Sequence, residues 1–106
     1  MSNFSLQNKT AIVTGGAGGL GRAMVAAYAA AGANVVVASR NKEKIEAEAA
    51  GIRDKGQSAI AIATDITDSE QVEHLVSKTV ETFGALDVMV NNAGRWGRSH
   101  LAEETP

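Results

Sequence analysis

The residues most able to do chemistry form a glycine-rich run, Thr14-Gly15-Gly16-Ala17-Gly18-Gly19-Leu20-Gly21, set between a short apolar segment and a helical one. Gly15 and Gly19 can take backbone angles closed to other residues and let the main chain come close to a ligand. Gly21 leaves room where a helix and a sheet must pack tightly. A helix starting here would present free N–H groups and the positive end of its dipole, which suits a pyrophosphate. Standing alone, such a run could be a purely steric turn; between a strand and a helix it points to a dinucleotide. No lysine follows the last glycine, so the run is not a Walker A loop. Its spacing also departs from the three-glycine Rossmann fingerprint, whose last two glycines are separated by two residues.

Three further segments could complete such a site. The second apolar run ends Ala38-Ser39-Arg40, with no carboxylate until Glu43. An acidic residue about 20 positions past the glycines would bind a ribose 2′-hydroxyl, whereas an arginine accommodates a 2′-phosphate. Arg40 can offer a charge-assisted fork to that phosphate and stack on adenine, and the Ser39 hydroxyl can add a bond. The plain alternative is a solvated arginine at a strand end. The composition of this corner favours NADP over NAD. Asp65-Ile66 closes the third apolar run, and Asn91-Asn92-Ala93-Gly94 follows the fourth. Taken singly, Asp65 could merely start a turn, and the Asn and Gly residues favour turns regardless of function.

Thr14, Gly15, Gly19 and Gly21 match the pattern T-G-x-x-x-G-x-G, and Asn91 to Gly94 match N-N-A-G at the matching separation. With both, the chain resembles the short-chain dehydrogenase/reductase family from Lys9 to about Gly94. The resemblance implies that Gly15 to Gly21, with Gly16, Ala17, Gly18 and Leu20 among them, wrap the cofactor pyrophosphate. It implies that Asp65 accepts a hydrogen bond from the adenine amino group while Ile66 packs on the ring. It implies that Asn92, Ala93 and Gly94 stabilise the sheet and line the adenosine side. One departure bears on cofactor choice: many NADP-using members carry a basic residue where this chain has Gly18.

The family's serine and its Y-x-x-x-K pair lie beyond N-N-A-G, and no residue here maps onto them, so no catalytic residue is assigned. The only tyrosine, Tyr28, has no lysine four positions on. The expectation is an N-terminal fragment of an NADP(H)-dependent oxidoreductase, whose parent, a homo-oligomer, moves hydride between nicotinamide and a small carbonyl or secondary alcohol. Whether the chain by itself is an enzyme stays open. The rival is a non-catalytic dinucleotide-binding module such as a redox sensor, which should end on a capping element. A nucleotide- or methyl-donor-binding Rossmann domain leaves Asn91 to Gly94 without a role.

The elements that must hold these residues alternate. Apolar runs at Thr10 to Thr14, Asn34 to Ala38, Ser58 to Ala63 and Leu86 to Val90 read as strands, and the near-continuous Val35-Val36-Val37 suits a strand covered on both faces. Between them, Leu20, Ala23, Met24, Ala27 and Ala31 trace one helix face up to Gly32. Asn41 caps a second helix with Ile45, Ala49 and Ile52 on one side, up to Gly56. Asp68 to Gln71 has capping-box spacing for a third, whose apolar face is Val72, Leu75, Val76, Val80 and Phe83, ending at Gly84. Strands alternating with single helices imply parallel pairing. The fold expected is a doubly wound α/β Rossmann-type sheet of four strands in order 3-2-1-4, truncated before the remaining strands. Residues 1–94 form the NADP(H)-binding half-domain and 95–106 the start of the next loop. The fourth strand would then stand at an edge and invite association.

Composition narrows the rest. At 106 residues and 44% apolar content the chain makes one domain. A net charge of −2 gives no reason to expect nucleic acid or an anionic membrane as partner. There is no cysteine, no apolar run long enough for a bilayer and no secretory signal, so the expected location is cytoplasmic. No metal site is expected: His74 reads as surface, and His100 lies far from any second ligand. Trp96 could line a substrate cleft.

Overall fold

A computed structural model describes residues 5–15 and 19–92. The elements run β1 (Thr10–Thr14), α1 (Gly19–Ala30), β2 (Asn34–Ser39), α2 (Lys42–Asp54), β3 (Ala59–Ala63), α3 (Ser69–Phe83) and β4 (Val88–Asn91). The strands pair in parallel in the order β3-β2-β1-β4, as the alternation of strands and helices demands.

Because successive strand side chains point to opposite faces, the sheet carries two cores. Val13, Val35, Val37 and Ala59 face α1 and α2, where Val25, Ala29, Ile45, Ala49 and Ile52 close over them. Ile12, Val36 and Ala38 face the other way, against Leu75 of α3, with Ile60, Ile62, Phe83 and Leu86 packed around them. Val35, Val36 and Val37 are fully buried, as a strand covered on both faces requires. In β4, Val90 packs on the α1–α2 side while Met89, level with Ile12, is 44% exposed.

The second and third helices have identifiable caps. Asn41 caps α2, its Oδ1 accepting from Lys44 N at 3.1 Å, and Ile45, Ala49 and Ile52 are its buried face, as expected. Asp68 caps α3, accepting from Glu70 N and Gln71 N. Gly84 ends α3 with φ 88°, a left-handed angle that glycine takes without a Cβ clash, and its N–H donates to Val80 O.

Several expectations need correcting. The fully buried stripe of α1 is Gly21, Val25 and Ala29; of the expected Leu20, Ala23, Met24, Ala27 and Ala31, Met24 packs half-buried against the core, while Ala23 and Ala27 are exposed and Leu20 is 66% exposed. In α3, Thr79 takes the buried place expected of Val80, which is 42% exposed. Thr79 can be there because its hydroxyl donates to Leu75 O at 2.8 Å within its own helix. β4 begins at Val88 rather than Leu86; just before it, Asp87 pairs with Thr10 by one backbone and one side-chain bond, its N donating to Thr10 O at 2.9 Å and its Oδ2 accepting from Thr10 N at 2.9 Å. β2 runs one residue further, to Ser39, and β3 starts one later, at Ala59.

Candidate active-site edge

Four parallel strands bring their C-terminal ends to one edge of the sheet, and α1, α2 and α3 begin at that same edge. β2 and β3 build outward from one side of β1, and β4 lies on the other. This reversal opens the crevice where α/β sheets of this kind take their ligands. Gly15, Ser39, Arg40, Asp65 and Asn92 all stand just at or past the strand ends.

At the end of β1, Gly15 turns the chain with φ 69° and donates its N–H to Ala38 O at 2.8 Å. Only a residue free of Cβ adopts that angle readily. Gly19 stands in the first turn of α1, with open space where a Cβ would project, so glycine supplies room there rather than a left-handed angle. Gly21 is buried on the α1 face that meets the sheet. Gly16, Ala17, Gly18, Ala93 and Gly94 lie outside the described residues, as do Trp96 and His100.

At the end of β2, Ser39 Oγ accepts from Asn41 N at 3.1 Å, and its carbonyl accepts from Thr64 N at 2.8 Å. The next residue, Arg40, is exposed. Asp65 follows β3 in the turn that leads to α3, so the turn assignment holds whatever else Asp65 does. Its Oδ1 accepts from Thr67 Oγ1 at 2.6 Å and from Thr67 N at 3.0 Å. These bonds, the hydroxyl first, hold its carboxyl below the ordinary aspartate range; slight burial opposes them, and the nearby Arg40 charge adds to them. Ile66 is half-buried beside it.

Thr14 ties β1 to the segment after β4. Its side chain is buried, with Oγ1 accepting from Asn92 N at 3.0 Å and lying 3.2 Å from both Val90 O and Asn91 Oδ1, to which it can donate. The sequence marked Thr14 as part of a pattern but assigned it no work. It missed Thr67, although Asp-x-Thr is the spacing of a side-chain-closed turn, and read Gln71 only as the end of a capping box. Gln71 Oε1 accepts from Asp65 N at 2.8 Å, so it does not return to the helix cap's own N–H as a capping box would.

A groove of about 450 Å³ runs between α1 and α2, lined by Gly19, Arg22, Glu48, Gly51 and Lys55 among others. It shares Gly19 with the strand-end crevice and includes none of Ser39, Arg40, Asp65 and Asn92, so it is a separate surface feature. Within its lining Arg22 pairs with Glu48 at 3.0 Å. Among the described residues no group of three His, Cys, Asp or Glu side chains is placed to hold a metal, and no helix is long and apolar enough to cross a membrane.

A sequence model described as short chain dehydrogenase matches residues 9–106. The chain is 50% identical over 92 residues to a short chain dehydrogenase/reductase of Colletotrichum higginsianum, covering 87% of this chain and 34% of that protein. It is 40% identical over 100 residues to a sorbitol dehydrogenase of Cereibacter sphaeroides, covering 94% and 38%. The crystal structure of a hydroxysteroid dehydrogenase from Escherichia coli superposes with a TM-score of 0.84 at 34% identity, covering 88% of this chain and 40% of that one. The chain thus spans between 34% and 40% of the length of these relatives.

Proposed function

The chain belongs to the short chain dehydrogenase family, and from that premise we propose that its residues 1–94 bind the adenosine and pyrophosphate of NADP(H) for an oxidoreductase acting on a small carbonyl or secondary alcohol. The observation that carries this reading is the meeting of Gly15, Ser39, Arg40, Asp65 and Asn92 on one sheet edge, above the start of α1.

The residues present fit a dinucleotide. Gly15 turns the chain with a left-handed angle at the end of β1 and Gly19 leaves open space in the first turn of α1, where backbone N–H groups and the α1 dipole favour a pyrophosphate. Leu20, exposed in the first turn of α1, offers an apolar contact beside it. Asp65 keeps Oδ2 outside its turn bonds, available to accept from the adenine amino group, with Ile66 to pack on the ring. Gly16, Ala17 and Gly18 would complete the pyrophosphate loop, and Asn92, Ala93 and Gly94 the adenosine side. When bound, the nicotinamide supplies or accepts the hydride; the residues of this chain bind and orient it. No Tyr-x-x-x-Lys occurs in the 106 residues, so no general acid is assigned.

The end of β2 supports the reading of NADP rather than NAD. Arg40 is exposed and can swing to a 2′-phosphate, while the neighbouring positions carry no carboxylate to take a free 2′-hydroxyl. A net charge of −2 gives no attraction to nucleic acid or an anionic membrane, in keeping with a small-molecule substrate.

Titration of NADPH and NADH against the intact protein tests the reading. A lost charge-assisted contact of about 1.5–3 kcal/mol means Arg40→Ala should weaken NADPH by roughly ten- to a hundredfold, at about 1.4 kcal/mol per decade. NADH should change far less. Ser39→Asp should go further, setting a carboxylate against the phosphate while offering an acceptor to the 2′-hydroxyl of NADH. Equal weakening of both cofactors by Arg40→Ala would remove the NADP assignment.

A further inference from the structure

The turn from β3 into α3 carries more hydrogen bonds than the helix start requires. Asp68 Oδ1 accepts from Glu70 N at 3.0 Å and Gln71 N at 3.3 Å, which already caps the helix. The remaining bonds converge on Asp65. Its N–H is held by Gln71 Oε1 at 2.8 Å, its carbonyl by Asp68 N at 3.0 Å, and its Oδ1 by both donors of Thr67. Gln71 is itself fixed at the other end, where Nε2 donates to Asp68 Oδ2 at 3.2 Å. Backbone donor, backbone acceptor and one carboxylate oxygen of Asp65 are therefore all engaged, and Oδ2 takes none of these bonds.

We propose that Thr67 and Gln71 are positioning residues that lock Asp65 with Oδ2 turned to the ligand, so that the site distinguishes a 6-amino purine from a 6-oxo purine. The inference rests on the reading that Asp65 accepts from the adenine amino group. An amino group donates to the carboxylate; a ring carbonyl at the same place sets two acceptors against each other. That discrimination needs a carboxylate that cannot rotate away. Asp65 is only half-buried in the turn beyond β3, a strand that is itself mostly half-buried, so the side chains of Thr67 and Gln71 add a restraint that packing alone does not supply. They touch Asp65 and act through it.

The experiment measures Kd for NADPH and for its hypoxanthine analogue in the intact protein, and reads the ratio of the two within each variant. A ratio within one variant cancels general losses of stability or of pyrophosphate binding. In the unsubstituted protein the adenine form should bind about tenfold more tightly, the worth of one charge-assisted bond. Asp65→Ala should bring the ratio to near one. Thr67→Val and Gln71→Leu, both at exposed positions, should each lower it at least threefold, and Thr67→Ser, which keeps the hydroxyl, should restore it. If Asp65→Ala collapses the ratio while Thr67→Val and Gln71→Leu leave it intact, the positioning role is overturned and the adenine contact stands. If Asp65→Ala leaves the ratio unchanged, the contact itself is wrong and the proposal falls with it.

Discussion

Thr14→Val isolates what one buried hydroxyl contributes to the site. Valine matches threonine closely in shape, so the core around position 14 keeps its packing, and the substitution removes only Oγ1. Two losses follow. The N–H of Asn92, which reaches Oγ1 at 3.0 Å, is left without that acceptor in a part-buried position, at a cost of about 1–3 kcal/mol. The donated bond also disappears. It can go to Val90 O or Asn91 Oδ1, each at 3.2 Å, but one hydrogen serves one of them at a time, so it counts once, at about 0.5–1.5 kcal/mol. The extra buried methyl group returns up to about 0.8 kcal/mol. The net expectation is a loss of roughly 1–4 kcal/mol, concentrated where β4 leaves the sheet.

Urea unfolding of the intact protein should show the midpoint falling with an unchanged slope, and amide exchange should speed up at Asn92 before it does in β1. Thr14→Ser is the control, since it keeps the hydroxyl and gives up a methyl group. If serine is as damaging as valine, packing and not hydrogen bonding holds this corner. A loss under about 0.5 kcal/mol for Thr14→Val, with protection at Asn92 unaltered, would refute the reasoning.

Two other expectations follow directly. Ile45→Ala, at a fully buried position of α2, should cost about 2–5 kcal/mol in a denaturant titration, whereas Val80→Ala on the outer side of α3 should stay within about 0.5 kcal/mol; comparable losses would mean the α3 face is misplaced. Because the Asp65 carboxyl is held below its ordinary value in the folded chain, its contribution to stability is present above about pH 4 and fades as the pH falls through the lowered folded value. Carbon-detected NMR titration should find its midpoint below that of an ordinary aspartate and higher again in Thr67→Val; a midpoint at or above the ordinary value would contradict the Thr67 bonds.

Strand order and the sharing of faces were legible because they follow from strong, repeated signals. Val35 to Val37 cannot sit on a half-solvated strand, and single helices between strands leave few topologies. The face of α1 was not legible. Six of its positions and those just after it, from 23 to 31, are alanine, which sits equally well inside or outside, so a hydrophobic stripe can be drawn a residue out of place. Val80 and Thr79 failed for another reason. A polarity scale ranks valine above threonine for burial, but the Leu75 carbonyl satisfies the Thr79 hydroxyl within the helix. Asp87 looks like the end of a loop in sequence, and only the tertiary pairing with Thr10 turns it into a rung of the sheet.

The candidate site divides the same way, and the division has a physical origin. Ala11 to Val13 of β1 and Val35 to Ala38 of β2 are almost wholly buried, while β3 is only partly covered and β4 alternates between half-buried and exposed. Close packing fixes the ends of the two central strands, so Gly15 and Ser39 are placed by residues whose types can be read locally. The flanking strands lack that packing, yet Asp65 and Asn92 must stand at the same edge. Side-chain hydrogen bonds do there what burial does at the centre: Thr67 and Gln71 for Asp65, and Thr14 for Asn92, the last spanning 78 positions in sequence. A bond of that separation leaves no local pattern, whereas Asp65-x-Thr67 is a local turn spacing whose meaning for the site shows only once β3 is placed at the edge. The glycines and the asparagines were therefore visible as motifs, and the tie from Thr14 to Asn92 became visible only once β1 and β4 were paired.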